Sequence, residues 1–256
     1  MKLGVVQGRL SPPIEGFQET PAKWRREFDL LREHGLNHIE WVVTKKSFVT
    51  NPLFSKDFSK EGLSINSICA DNLVDKKVFM RSFLMDNLIP ICDVAIKHDI
   101  KFITIPLLED SSLVDEEPRG FFKQNILWFV EKYPSLSFSF EAEMYSSALL
   151  EILELSENFY VTYDTGNMTQ FLANHEKYID SIFDRINNVH LKDRTRAGQS
   201  RSPGEGDTNF KLIFAKLKKL GYNDLYTLQT ARGAPGNEVT TVLEHKDILQ
   251  EVYDGS

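Results

Sequence analysis

Four side chains able to ligate a hard cation fall in four successive short, apolar-rich segments of this 256-residue sequence. Glu141 lies in SFSFEAE, Asp164 in YVTYDTG, His190 in NNVHLKD and Gln229 in LYTLQTAR. Each residue alone has a bland reading. An Asp before Thr-Gly is a good turn former, and a His in an apolar strand is commonly a satisfied core residue. Glu141 resists that reading, because a carboxylate set among strand residues needs a partner once it is buried. Taken together, the four form an O,O,N,O donor set suited to one divalent metal ion: Mn²⁺, Mg²⁺, Co²⁺ or Zn²⁺. The carboxylates tilt that set towards the harder ions. Glu143 shares the side of Glu141, with Ala142 opposite. Glu141 and Glu143 are the candidate catalytic carboxylates, Glu141 as base or bridging ligand and Glu143 as a hydrogen-bonder to substrate or a support for Glu141.

The elements that must position these groups follow from the hydrophobic pattern. Short β-branched runs at residues 3–7, 38–43, 64–70, 102–108, 137–142, 160–164, 188–192 and 225–229 read as strands. Stretches of helical period follow at 21–34, 76–98, 119–132, 147–157, 170–185, 209–220 and 239–253, with Gly221 ending the sixth. Eight strands, each followed by helical material or a loop, predict an α/β fold, a single (β/α)₈ TIM barrel over residues 1–256 with no second domain. A doubly wound nucleotide-binding sheet would want a Gly-rich first turn, and Gly4 and Gly8 do not supply one. In a barrel the site is built at the carboxyl ends of the strands, where the four candidate ligands fall.

Charge and composition exclude other classes. Lys and Arg number 30 against 37 Asp and Glu, a formal net charge of −7, which argues against a nucleic-acid-binding protein. Aromatics at 11% and charged residues at 26% rule out disorder for the chain as a whole. Cys69 and Cys92 are too few and wrongly spaced for a disulfide framework or a C-x-x-C site, which favours a reducing, cytoplasmic setting. No apolar run reaches the length of a secretory signal or a membrane span, so no membrane partner is expected. One basic stretch stands out at residues 190–201. Lys192, Arg194 and Arg196 there, with Arg232 further on, are placed to hold a phosphate or carboxylate of a substrate, since barrels often bind phosphate near strands seven and eight. The competing reading is a solvated loop paired with Asp193, Glu205 and Asp207. Trp41 and Phe17 are candidates for an apolar wall of the site, whereas Trp24, on a helix, reads as core.

The segments GRLSPP, HIEW, FEAE, YDTGN, VHLKDR and PGEGDTNF carry a resemblance in that order. The chain resembles the xylose isomerase-like TIM-barrel superfamily (the sugar phosphate isomerase/epimerase and AP endonuclease family 2-like proteins). That resemblance implies a metal-dependent isomerase or epimerase acting on a sugar or sugar phosphate through an enediolate, with Glu141, Asp164 and His190 as metal ligands. Gln229 stands where the family typically has a Glu ligand, and Asn167 where it often has His. Arg196 matches an arginine that touches substrate oxygen in ketose epimerases. Gln cannot exchange a proton near neutral pH. Three outcomes stay open: one carboxylate acting alone, a second base such as Asp193 or Glu40, or a sugar-binding protein without catalysis. Glu40 and Asn167 join the expected substrate contacts. A polyol or keto-sugar dehydratase is the alternative enzyme, and barrels of this type often dimerise, making a homodimer compatible.

Overall fold

The computed structural model describes residues 1–14, 19–171 and 174–256. Eight parallel strands close into a barrel: β1 Lys2–Val6, β2 Ile39–Val42, β3 Ile65–Cys69, β4 Phe102–Leu107, β5 Ser137–Ala142, β6 Phe159–Asp164, β7 Ile186–Leu191 and β8 Leu225–Leu228. Each strand pairs with its sequence neighbour, and β1 closes on β8 through pairs such as Gly4 with Thr227. The expected eight-stranded barrel is therefore the fold. Among the described residues the outer ring holds helices α1 Trp24–Glu33, α2 Arg81–Lys97, α3 Glu116–Lys132, α4 Ser146–Leu153, α5 Thr165–Phe171, α6 His175–Ile182, α7 Phe210–Leu220 and α8 Glu238–Asp254.

Alternation along the strands sorts side chains between two very different places. Ile39 and Trp41, Ile103 and Ile105, Phe138 and Phe140 face outwards and are fully buried against the helices. Burying each such side chain contributes about 1.5–3 kcal/mol, and this strand-helix layer is where the stability resides. The alternate positions point into the barrel and are largely polar: Ser67, Thr104, Ser139, Thr162, Asn188 and Thr227 are all buried. They hydrogen-bond to one another, as in the Ser139 and Thr162 hydroxyls at 2.7 Å and Thr227 Oγ1 to Asn188 Oδ1 at 2.9 Å. Buried polar groups are tolerated on that condition.

Two expectations need correction. The single helix over 170–185 is two, α5 and α6, followed by a short 3₁₀ turn at Phe183–Arg185. Asp164 Oδ1 accepts the Asn167 amide at 2.7 Å, so the helix starts at Thr165, earlier than its periodicity suggests. Asn174, in extended conformation, caps a new start by accepting the Lys177 amide at 3.0 Å. Trp41 is not available to a sugar. It is fully buried, edge-on to Trp24 and Phe58, with its indole N–H donated to Asn51 Oδ1 at 2.9 Å. Trp24 belongs to that same aromatic cluster. Phe17 lies outside the described residues.

Candidate active site

The strand register assembles the candidate ligands. Asp164 on β6 pairs with His190 on β7, and His190 pairs with Thr227 on β8, two residues before Gln229. Gln229 extends the ladder by donating its amide to the Leu191 carbonyl at 3.0 Å. Glu141 on β5 sits opposite Pro106 on β4. One donor atom from each of Glu141, Asp164 and His190 lies within 4.8 Å of the others, and all three residues are buried. Asp164 Oδ2 and Gln229 Oε1 are buried without a hydrogen-bond partner among the described residues. Unsatisfied buried acceptors of this kind call for a cation or a donor from a ligand. The donor set thus fits a divalent ion.

The DTG and HLKD segments of the sequence acquire separate jobs. Thr165 Oγ1 donates to the Lys192 carbonyl at 2.7 Å and accepts the Lys192 amide at 3.0 Å, tying the end of β6 to the end of β7. Gly166 is needed beside it, because a Cβ there would lie 3.0 Å from the Lys192 carbonyl oxygen. Asp193, fully buried, accepts the amides of Gly204 and Gly206 on Oδ2 and of Thr208 on Oδ1, at 2.8, 3.0 and 3.1 Å. Its carboxylate is consumed in folding the 203–208 loop, which removes it as a second base.

Glu40 is likewise not where a substrate could reach it. It is fully buried beneath His190, accepting from Ser67 Oγ at 2.6 Å and Thr104 Oγ1 at 3.1 Å. Its Oε1 lies 3.0 Å from His190 Nε2, while His190 Nδ1 lies 3.5 Å from Glu141 Oε2. Burial pushes the Glu40 carboxyl up, but His190, Ser67 and Thr104 outweigh it and hold it below its ordinary value. Burial disfavours the imidazolium of His190, yet Glu40 and Glu141 together raise it well above the usual histidine range. Glu141 is raised, by burial first, with His190 opposing. A carboxylate behind a histidine is the arrangement that orients an imidazole towards a metal.

Asn167 links the set. Its Nδ2 donates to Glu141 Oε1 at 3.0 Å, and its Oδ1 accepts from Lys192 Nζ at 3.3 Å. Lys192 Nζ also stands 3.9 Å from Asp164 Oδ2. Above these groups opens a cavity of about 470 Å³, lined by Glu141, Asn167, Lys192, Arg194 and Gln229 among others. That volume falls in the range of small-molecule sites. Glu143 is half-buried beside the cavity rather than lining it, its carboxyl raised by burial against the opposing pull of Arg194. Arg196 and Arg232 are elsewhere. The former lines a separate cleft with His175 and Asp207, and the latter packs by the β1 loop, donating to the Ser11 carbonyl at 3.1 Å. Asp71 and Glu109, from the ends of β3 and β4, line the cavity and carry no motif in the sequence.

Residues 140–251 match the family model described as xylose isomerase-like TIM barrel. The resemblance read from the motifs holds. A putative L-ribulose-5-phosphate 3-epimerase, SgbU, from Haemophilus influenzae is 22% identical over 240 residues, covering 80% of this chain and 83% of the relative. The crystal structure of D-allulose 3-epimerase from Methylomonas sp. with D-allulose superposes with a TM-score of 0.75 at 14% identity, over 99% of this chain and 97% of that one. The IOLI protein with a bound zinc atom gives a TM-score of 0.73 at 14% identity, over 100% and 99% of the two chains. At such identities the superpositions speak for the fold. Among the described residues no helix is long and apolar enough to cross a membrane.

Proposed function

We propose that this chain is a metal-dependent isomerase or epimerase of a sugar, with Glu141, Asp164, His190 and Gln229 holding one divalent ion. The observation that carries this reading is that buried donor atoms of Glu141, Asp164 and His190 lie within 4.8 Å of one another at the strand ends, while Gln229 Oε1, on the same cavity, is buried without a hydrogen-bond partner among the described residues. The relatives named above as sugar epimerases support the substrate class. A divalent ion held there would supply positive charge to stabilise an enediolate oxygen. Glu141, its carboxyl raised by burial, takes the proton from the carbon beside the carbonyl. Asn167 fixes the Glu141 carboxylate through its Oε1, and Lys192 and Arg194 present donors to substrate oxygens.

Gln229 favours a one-sided version of this chemistry. An amide cannot return a proton on the face opposite Glu141, so suprafacial 1,2-isomerisation, or loss of a β-hydroxyl as in a dehydratase, fits the residues better than two-base epimerisation. The test is solvent deuterium exchange. Metal-loaded protein incubated in D₂O with a panel of ketoses should place deuterium beside the carbonyl, and chelation should stop it. Absence of exchange and of dehydration across the panel would leave only a sugar-binding role.

A further inference from the structure

On the β1–β4 side of the cavity, away from the ligand cluster, three carboxylates line the wall: Glu19, Asp71 and Glu109. We infer that this wall recognises the hydroxyl groups of an unphosphorylated sugar, and that a terminal phosphate ester is discriminated against; the inference rests on the function proposed above and narrows its substrate class.

The wall is built rather than incidental. Glu19 accepts from Thr44 Oγ1 at 2.8 Å, which turns its carboxylate across the β2 loop. Asp71 opens a 3₁₀ turn two residues beyond β3. Glu109 holds a left-handed backbone at φ 51°, a conformation that costs a non-glycine residue energy. The three are close enough to feel one another. Burial first, then Glu141, Glu109 and Glu19, push the Asp71 carboxyl up to about 6, and Lys45 is the weakest of the influences on it. The lysines on this side do not reverse that sign. Lys45 spends its ammonium on Asp75 Oδ2 and the Val74 carbonyl, at 2.8 and 2.6 Å, and Lys46 is the other cation of the wall.

The opposite wall holds two cations, Lys192 and Arg194, whose remaining donors are the ones assigned above to substrate oxygens beside the ligand cluster. Lys192 donates to Asn167, and Arg194 Nη1 donates to Gln170 Oε1 at 3.0 Å. Arg196 and Arg232, which would complete a phosphate clamp, lie outside the cavity lining. A phosphate dianion reaching the β1–β4 wall would meet three carboxylates against two lysines, one of them, Lys45, already paired with Asp75, whereas sugar hydroxyls donate to carboxylates readily. Gln229 Oε1, in a residue only 8% exposed, offers a further unpartnered acceptor on the same cavity.

The experiment compares a ketopentose and a ketohexose with their terminal phosphate esters, using metal-loaded protein. Exchange kinetics in D₂O and calorimetric binding are both measured. The free sugars are expected to exceed their esters at least tenfold in kcat/KM and in affinity. In Asp71→Asn/Glu109→Gln protein that preference should shrink at least threefold through a higher KM for the free sugar, with the melting temperature reporting that the fold is intact. Preference for the esters, or a preference untouched by the double variant, overturns the inference while leaving the isomerase reading standing. Neither sugar nor ester exchanging or binding overturns both.

Discussion

Glu40 holds His190 from below: its Oε1 stands 3.0 Å from His190 Nε2, with neither side chain exposed to solvent. The contact leaves Nδ1 as the nitrogen that faces Glu141, 3.5 Å from its Oε2. Replacing Glu40 by Gln keeps the shape but removes the charge behind the imidazole. Loss of such an orienting carboxylate costs about 10–100-fold in metal affinity. Glu40→Gln should therefore weaken metal binding in a direct titration while leaving the KM for substrate, at saturating metal, nearly unchanged. Unaltered metal affinity with a raised KM would return Glu40 to the substrate-contact role that its sequence position suggests.

Removing a ligand should be more drastic than removing its support. Glu141→Ala and His190→Ala are each expected to abolish stoichiometric metal uptake, whereas Gln229→Glu, adding a carboxylate where Gln229 Oε1 has no partner, should tighten it by about tenfold. Competition against a chromophoric chelator reads both changes. Metal retained by both Ala variants would remove the ligand assignment.

Asp71 carries a pH signature with a defined sign. Its carboxyl is pushed up to about 6 in the folded chain from an ordinary value of 3.8, chiefly by burial. Ionised Asp71 therefore costs stability, a cost that grows as pH rises from the unfolded value and is complete above the folded one. Asp71→Asn should raise the melting temperature at pH 7.5, and the gain should fade to nothing below about pH 4. A constant difference across that range would mean that the carboxylate is not under strain.

Asp193 should matter to folding rather than chemistry. Its carboxylate satisfies three backbone amides of the 203–208 loop, and a Cβ at Gly206 would sit 2.1 Å from Asp193 Oδ1. Asp193→Ala and Gly206→Ala should each destabilise the protein by about 2–4 kcal/mol in urea titrations. A loss below about 0.5 kcal/mol for either would show the loop to be held by other contacts.

Much of the fold was legible because strand alternation and strand-end polarity are local signals. Every expected strand is a barrel strand, and Glu141, Asp164, His190 and Gln229 do share one mouth. What escaped depends on depth and direction, which one-dimensional spacing does not encode. Glu40 and Glu141 both sit near strand ends, yet Glu40 lies a layer lower, against the candidate ligand His190. Arg196 and Arg232 belong to the right loops but point away from the cavity. Asp71 and Glu109 had no neighbours in sequence to mark them; only closure of the barrel sets them beside one another. The start of α5 was misjudged because its cap, Asp164, is a candidate ligand as well.

The polar interior has a polarity of its own. Thr227 gives its one hydroxyl proton to Asn188, so His38 must be the donor to Thr227, and Asn188 in turn donates to Glu40 at 3.4 Å. His38 is held neutral, its value lowered by burial to about 4, in space that Gly4 leaves by having no Cβ. Every proton in that column therefore points one way, from the floor of the barrel up to the carboxylate beneath His190. The column ends on a carboxylate held ionised, which only accepts, and that fixes its direction. A substitution of Thr227 would strand both the His38 Nε2 donor and the Asn188 Oδ1 acceptor in the barrel floor, where no solvent replaces it.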